Sequence, residues 1–209
     1  MERGYFISGI GTEVGKTVAS AYLQLALDAD YWKPVQAGDL DFSDTDRVHS
    51  YTGLPRERYH RERYRLNTPA SPHYAARRDG VDISLFDFEL PDSSGRPLLV
   101  EGAGGLLVPL NEQDCMIDLA SRLRLPVILV SRHYLGSINH TLLSLEVLRQ
   151  RGMKVAGVIF SGGQNPESAR IIGKLGKTPV LASLPEIASI HPESLREVVA
   201  RTRLTLPPP

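Results

Sequence analysis

The chain has 209 residues, 42% of them hydrophobic, enough for one domain with a substantial core. Lys plus Arg and Asp plus Glu number 24 each, so the formal net charge is zero, which argues against a generic polyanion or membrane-surface binder. The single cysteine, Cys115, excludes an intrachain disulfide and a cysteine-built zinc site, and with no signal sequence or long apolar run the expected compartment is the cytosol.

"GYFISG" predicts a first strand, and a helix is expected from about Gly15 to Leu27. Between them lies "GIGTEVGKT", residues 9–17. Its second half fits the phosphate-loop pattern G-x-x-x-x-G-K-[ST], but the first glycine of that pattern would fall on Ile10, with Gly9 and Gly11 one place to either side. Gly15, Lys16 and Thr17 open a helix, where backbone N–H groups and the helix dipole favour a polyphosphate. Lys16 would neutralise the β- and γ-phosphates and the Thr17 hydroxyl would face Mg²⁺.

"YWKPVQAG" reads as one short strand, near a sheet edge or ending at Pro34. Lys33 at its end faces either the phosphate loop's cavity or solvent. "DTDRVHSYTG" predicts a short helix closed by Gly53. Asp44 serves there as N-cap or as a metal acid, and Asp46 is a second candidate. In "RERYHRERYR", residues 56–65, Tyr59 and Tyr64 would supply stacking for a nucleic acid, but Glu57 and Glu62 dilute the charge. A solvated, ion-paired surface is expected instead, with no nucleic-acid partner and no membrane partner. "SPHYAARR" has Ser71 as N-cap and Pro72 at the first helical position.

"PLLVEGAGG" is a buried strand running into a glycine turn, and Glu101 closes it where a Mg²⁺-binding acid of a phosphate-loop protein stands. "DCMIDLASRL" predicts a helix capped by Asp114, with Cys115 buried. "LPVILVS" is a strand. "SINHTLLSLEVLRQRG" is a helix with Ile138, Leu142, Leu145 and Leu148 on one face and Gly152 as its stop. "KVAGVIFSGG" and "PVLASLP" are the last strands and "HPESLREVVART" the last helix; residues 203–209 are expected to fray. No nucleophile–base pairing joins His73 and His140, so packing or capping roles are expected for both.

Strands alternating with helices imply a mainly parallel sheet covered on both faces, in a single α/β domain over residues 1–209. Ligands of such sheets bind beyond the carboxyl ends of the strands. Polar and glycine clusters follow strand ends in "GIGTEVGKT", "VQAGD", "EGAGG" and "SGGQNP", consistent with one site along one edge.

Taken together, "YFISGIGTEVGKT", "KPVQAG", "SDTDRV", "TPASPH", "LLVEGAGGLLVPL", "PVILVSRHYLGSINHTLL" and "VAGVIF" resemble the dethiobiotin synthetase family, in that family's order, over about residues 5–185. The family's phosphate loop is spaced like this one. The resemblance implies a P-loop NTPase-type domain that pairs into a homodimer. It also implies an ATP- and Mg²⁺-dependent ligase closing the ureido ring of dethiobiotin from 7,8-diaminononanoate and CO₂, through a carbamate and a carbamic–phosphoric anhydride.

By the same resemblance, Lys33, Lys16 and Thr12 are the catalytic residues. Glu13, Val14, Gly15, Lys16, Thr17 and Val18 would wrap the ATP phosphates. Asp44, Glu101 and the turn Gly102, Ala103 and Gly104 would complete the nucleotide site, with Thr17, Asp44 and Glu101 holding Mg²⁺; the resemblance favours Asp44 over Asp46. Ser161, Gly162, Leu184, Pro185 and Glu186 fall where the family binds the nucleoside. Thr12, Lys33, Ala37 and the run Leu135, Gly136, Ser137, Ile138 and Asn139 would bind substrate, the run being supplied by the partner subunit.

Three departures stand out. Ala37 replaces a common hydroxyl residue. Ser161 replaces an Asn that reads adenine, which opens the site to other nucleoside triphosphates. The stretch before Lys33 is short. A cobyrinate amide synthase would carry a glutaminase domain for which this chain is too short. A partition-type ATPase switch would have a lysine where Gly11 stands. A plain nucleotide-binding module remains the third alternative.

Overall fold

Residues 3–93 and 95–206 are described by a computed structural model. Seven strands form one sheet: β1 (Gly4–Gly9), β2 (Asp30–Trp32), β4 (Tyr59–His60), β6 (Leu98–Gly105), β7 (Val127–Arg132), β8 (Val155–Ser161) and β9 (Val180–Ser183). Their order is β4-β2-β6-β1-β7-β8-β9, and every neighbouring pair is parallel. A separate parallel pair joins β3 (Val35–Ala37) to β5 (Tyr64–Leu66).

The central strands are apolar at successive positions because both faces are covered. Phe6 packs into one layer with Val100, Val127, Met116 and Leu148. Its neighbour Ile7 packs into the other with Leu99, Ile128, Tyr22 and Leu23. The second layer is roofed by α1 (Lys16–Leu27), α2 (Asp44–Thr52) and α7 (Pro192–Arg201). The first is roofed by α3 (Pro72–Asp79), α4 (Met116–Leu123), α5 (Ser137–Gln150) and α6 (Pro166–Leu175). Among the described residues no helix is long and apolar enough to cross a membrane.

Several expectations change. "YWKPVQAG" is two strands in two sheets, β2 and β3, because Lys33 and Pro34 break the ladder between them. Ser43, not Asp44, caps α2: its hydroxyl and the Asp46 carboxylate form a reciprocal capping box. Cys115, not Asp114, occupies the cap of α4, with Asp118 bonding back to its N–H, and it is only partly buried. The buried row of α5 is Ser137, Thr141, Leu145 and Leu148, so Ile138 faces outward.

The helix α6 went unforeseen; Asn165 caps it and Pro166 is its first residue. "RERYHRERYR" is ion-paired but not simply solvated. Arg58 is buried against Asp30 at 2.5 Å, and Glu62 is buried against the Thr45 hydroxyl at 2.6 Å. The tail does not fray at once: Thr205 N–H donates to Leu181 O at 2.9 Å, and Leu204 and Leu206 pack on the core. Residues 207–209 of that expectation lie outside the described residues.

Candidate active site

The loop from Gly9 to Thr17 rises off β1 and enters α1 at Gly15, whose left-handed backbone (φ 88°) a side chain would strain. Ile10, at the misfit position, is a packing residue under the loop: its N–H donates to Val130 O at 3.0 Å and its side chain meets two apolar clusters. Thr12 and Glu13 are exposed at the crest, Val14 is buried beneath it, and Val18 packs partly on the α1 side. The last residues of β6 run alongside, with Gly105 opposite Gly9 in register and Gly104 below Thr12.

Lys16 curls back so that Nζ donates to Gly11 O at 3.0 Å. Burial, reinforced by the like charge of Lys33, pulls its ammonium down to about 8 against the attraction of Glu101 and Asp44. For Lys16 as a polyphosphate ligand this predicts a pH dependence. Well below pH 8 its ammonium is largely charged, so affinity for a polyphosphate should be nearly flat. Well above pH 8 binding would have to take up a proton, and affinity should fall about tenfold per unit. Calorimetric titration of ADP in EDTA between about pH 7 and about pH 9.5 reads this directly; a flat profile would exclude Lys16 as the titrating phosphate ligand.

Lys33 sits at the centre. Its Nζ lies 2.6 Å from Asp44 Oδ2 and 3.0 Å from Glu101 Oε1, and it donates to Gly102 O at 3.5 Å. Burial depresses its ammonium, but Glu101 and Asp44 outweigh that and raise it above the ordinary lysine value. Burial likewise pushes the Asp44 carboxyl up, and Lys33 with the Thr17 hydroxyl more than reverses this. Asp46 points elsewhere, to its cap and to Arg56 at 3.0 Å. Of the two acids, only Asp44 joins Lys33.

Thr17 Oγ1 is 3.3 Å from Asp44 Oδ1 and 3.2 Å from Glu101 Oε1. Three oxygens, two of them carboxylate, thus meet beside the phosphate loop. That fits Mg²⁺, which prefers hard oxygen ligands and takes one or two carboxylates, leaving its other positions to water and phosphate. Among the described residues no group of three or more His, Cys, Asp or Glu side chains forms a metal cage.

Ser161 is buried with its side chain against Gly15, and its neighbour Gly162 lies under Arg132. Leu184 is buried and tied to Phe160 O at 2.8 Å. Pro185 is partly covered, and Glu186 is exposed, 3.8 Å from Arg132. Ala37 packs against the core at the end of β3. Leu135, Gly136, Ile138 and Asn139 are exposed and Ser137 is buried; none of the five lines the cavity beside the loop. That cavity, about 440 Å³, runs between Gly9–Thr12, the Gly105–Pro109 segment, and His140, Leu143, Ser144 and Val147 of α5.

Sequence reasoning missed three supporting side chains. Ser20 and Tyr31 donate to Glu101 Oε2 at 2.7 and 3.0 Å. Gln36 accepts from Asp44 N–H at 3.2 Å while donating to Gly38 O at 2.9 Å, tying β3 to the start of α2. Spacing carried a signal for two of them. Ser20 is one helical turn after Thr17, and Tyr31 is on the same strand face as Lys33.

A family model described as an AAA domain matches residues 3–194. The chain is 53% identical over 190 residues to the ATP-dependent dethiobiotin synthetase BioD of Afipia carboxidovorans, covering 91% of this chain and 90% of that one. It is 50% identical over 186 residues to the protein of the same name from Christiangramia forsetii, covering 89% of each. The match to that of Rhodopseudomonas palustris strain HaA2 is 49% over 201 residues, covering 96% and 94%. Among solved structures, the MinC:MinD cell division complex of Aquifex aeolicus superposes with a TM-score of 0.54 at 12% identity, covering 94% and 93%. A putative plasmid partition protein of Borrelia burgdorferi gives 0.51 at 10%, covering 96% and 89%. The structural likenesses speak to the P-loop fold alone, whereas half the residues are shared with the synthetases over nearly the whole length of both chains. The chain belongs to the ATP-dependent dethiobiotin synthetase family.

Proposed function

We propose that this protein is the ligase that closes the ureido ring of dethiobiotin from 7,8-diaminononanoate, CO₂ and ATP. Beyond family membership, the observation that carries the reading is the buried Lys33 ammonium held between Glu101 and Asp44 at the foot of a phosphate loop. CO₂ adds to one amine to give a carbamate, with loss of a proton. A carbamate oxygen attacks the γ-phosphorus and the bond to ADP breaks. The second amine then attacks the carbonyl carbon, the C–O bond to phosphate breaks, and the proton of that amine leaves with inorganic phosphate formed.

No covalent enzyme intermediate is needed, so the protein's work is positioning and charge stabilisation. Residues Glu13–Val18 wrap the polyphosphate, with Lys16 on its outer oxygens. Lys33 stabilises charge on the transferring phosphoryl group, and Thr12 at the loop crest meets the carbamate. Glu101, Asp44 and Thr17 would hold Mg²⁺, which would supply positive charge to the phosphate oxygens. Gly102–Gly104 line the γ-phosphate. Ser161, Gly162 and Leu184–Glu186 flank the nucleoside, and the short Ser161 admits other nucleoside triphosphates beside ATP. The cavity walled by Leu106, Leu107, Val108 and Leu143 suits a methylene chain.

Phosphate release tests the reading. It should require the diamine and CO₂ together, with ATP compared against CTP and GTP. Release without either co-substrate would mark an ATPase switch instead.

The same reading includes a homodimer in which Leu135–Asn139 of a partner receives the substrate carboxylate at a helix N-terminus. Leu107, Tyr134, Leu135, Ile138 and Leu143 are exposed apolar side chains that support it. Leu143→Glu should shift sedimentation from dimer to monomer and remove ligase activity. A variant that stays dimeric would move the interface elsewhere.

A further inference from the structure

Glu101 has no exposed surface, and its two oxygens keep different company. Oε1 meets the Lys33 ammonium at 3.0 Å and the Thr17 hydroxyl at 3.2 Å. Oε2 accepts from Ser20 Oγ at 2.7 Å and from Tyr31 Oη at 3.0 Å, and both donors are fully buried. They come from different elements, Ser20 from α1 and Tyr31 from β2.

The sheet register explains the grip. Tyr31 pairs with Leu99 and Trp32 with Val100, so Lys33 arrives level with Glu101. Strand alternation puts Tyr31 and Lys33 on one face, two residues apart. The two side chains hold opposite oxygens of the same carboxylate. The terminal torsion of a glutamate is soft and roughly twofold. Two neutral donors on Oε2 fix the plane of the carboxylate and leave Oε1 turned toward Thr17 and Lys33. Filling the core would not require the phenol oxygen, since phenylalanine offers nearly the same ring.

We propose that Tyr31, together with Ser20, is a positioning residue that locks Glu101 so that Oε1 is presented to the cation accompanying the nucleotide. The proposal rests on reading Thr17, Asp44 and Glu101 as the Mg²⁺ ligands. Groups that orient a metal ligand from behind commonly change metal affinity tenfold or more when removed.

The test is a calorimetric titration of ADP into the full chain, once with Mg²⁺ and once with EDTA. It is paired with Mn²⁺ binding followed by electron paramagnetic resonance. Tyr31→Phe should weaken Mn²⁺ binding about tenfold and shrink the Mg²⁺-dependent gain in ADP affinity by a similar factor. Its ADP affinity in EDTA should match that of the unaltered protein. Ser20→Ala should act in the same direction, and the double variant should lose more than either alone.

Glu101→Gln, run alongside, separates two failures. If Glu101→Gln removes the metal dependence while Tyr31→Phe overlays the unaltered protein, the positioning role is overturned and the metal site stands. If Glu101→Gln leaves the metal titration unchanged, the site reading falls and the proposal with it. A Tyr31→Phe protein that melts lower yet binds Mn²⁺ normally also overturns the proposal, because its hydroxyl would then serve stability alone.

Discussion

Lys33→Ala should reduce ligase turnover by about a hundred- to a thousandfold while nucleotide still binds. Removing one preorganised donor from a developing negative charge commonly costs that much. Lys16 remains to hold the polyphosphate, so ADP affinity should change far less than kcat. The variant should also lose stability. Lys33 is the cation between Glu101, with no exposed surface, and Asp44. Deleting one partner of a buried ionic cluster leaves uncompensated charge, at a cost of about 3–5 kcal/mol. Mg²⁺ should therefore raise the melting temperature of Lys33→Ala more than that of the unaltered protein, because it restores positive charge beside the same two carboxylates. Single-turnover rates, ADP calorimetry and melting curves with and without Mg²⁺ measure the three effects. Near-normal turnover would remove Lys33 from the chemistry.

The ends of the strands were legible because glycine and polar residues there interrupt apolar runs. That placed Thr17 and Glu101 at one edge of a parallel sheet, whereas Lys33 could face either the cavity or solvent and took its role from the family resemblance alone. What stayed hidden was register. Lys33 and Glu101 are 68 residues apart, and only the pairing of β2 with β6 brings them to 3.0 Å. The choice between Asp44 and Asp46 depended on a cap. Ser43 and Asp46 have capping-box spacing, which occupies Asp46 and frees Asp44 to face Lys33. The helix α6 buries only Ile172 fully, so its apolar periodicity is thin, although Asn165 and Pro166 announce its start. The tail was misjudged for a related reason. Its anchor, Leu181 O, belongs to a strand that local sequence cannot reveal as having a free carbonyl.

Gly15→Ala should abolish tight nucleotide binding, and its rescue would show what Ser161 does. The backbone at Gly15 has φ 88° and ψ 26°, a left-handed conformation costing a side chain roughly 1–2 kcal/mol. A Cβ there would lie 2.2 Å from Ser161 Oγ and 2.7 Å from Ser161 Cβ, and overpacking of this kind adds about 1–3 kcal/mol. The loop can escape both penalties only by leaving the shape that, in the proposed function, aims Lys16 and Thr17 at the phosphates. ADP affinity should therefore fall by at least about thirtyfold, the equivalent of the smaller sum. Adding Ser161→Gly removes both clashing atoms but not the backbone strain, so the double variant should recover part of the loss and never all of it. Ser161→Gly alone should leave phosphate affinity close to normal. If it also alters the ranking of ATP, CTP and GTP, Ser161 reads the base as well as flooring the loop. If the ranking holds, the nucleoside is chosen by other groups at the ends of β8 and β9. Wild-type affinity in Gly15→Ala would mean that the glycine turn is not the phosphate cradle, and the roles given to Lys16 and Thr17 would fall together.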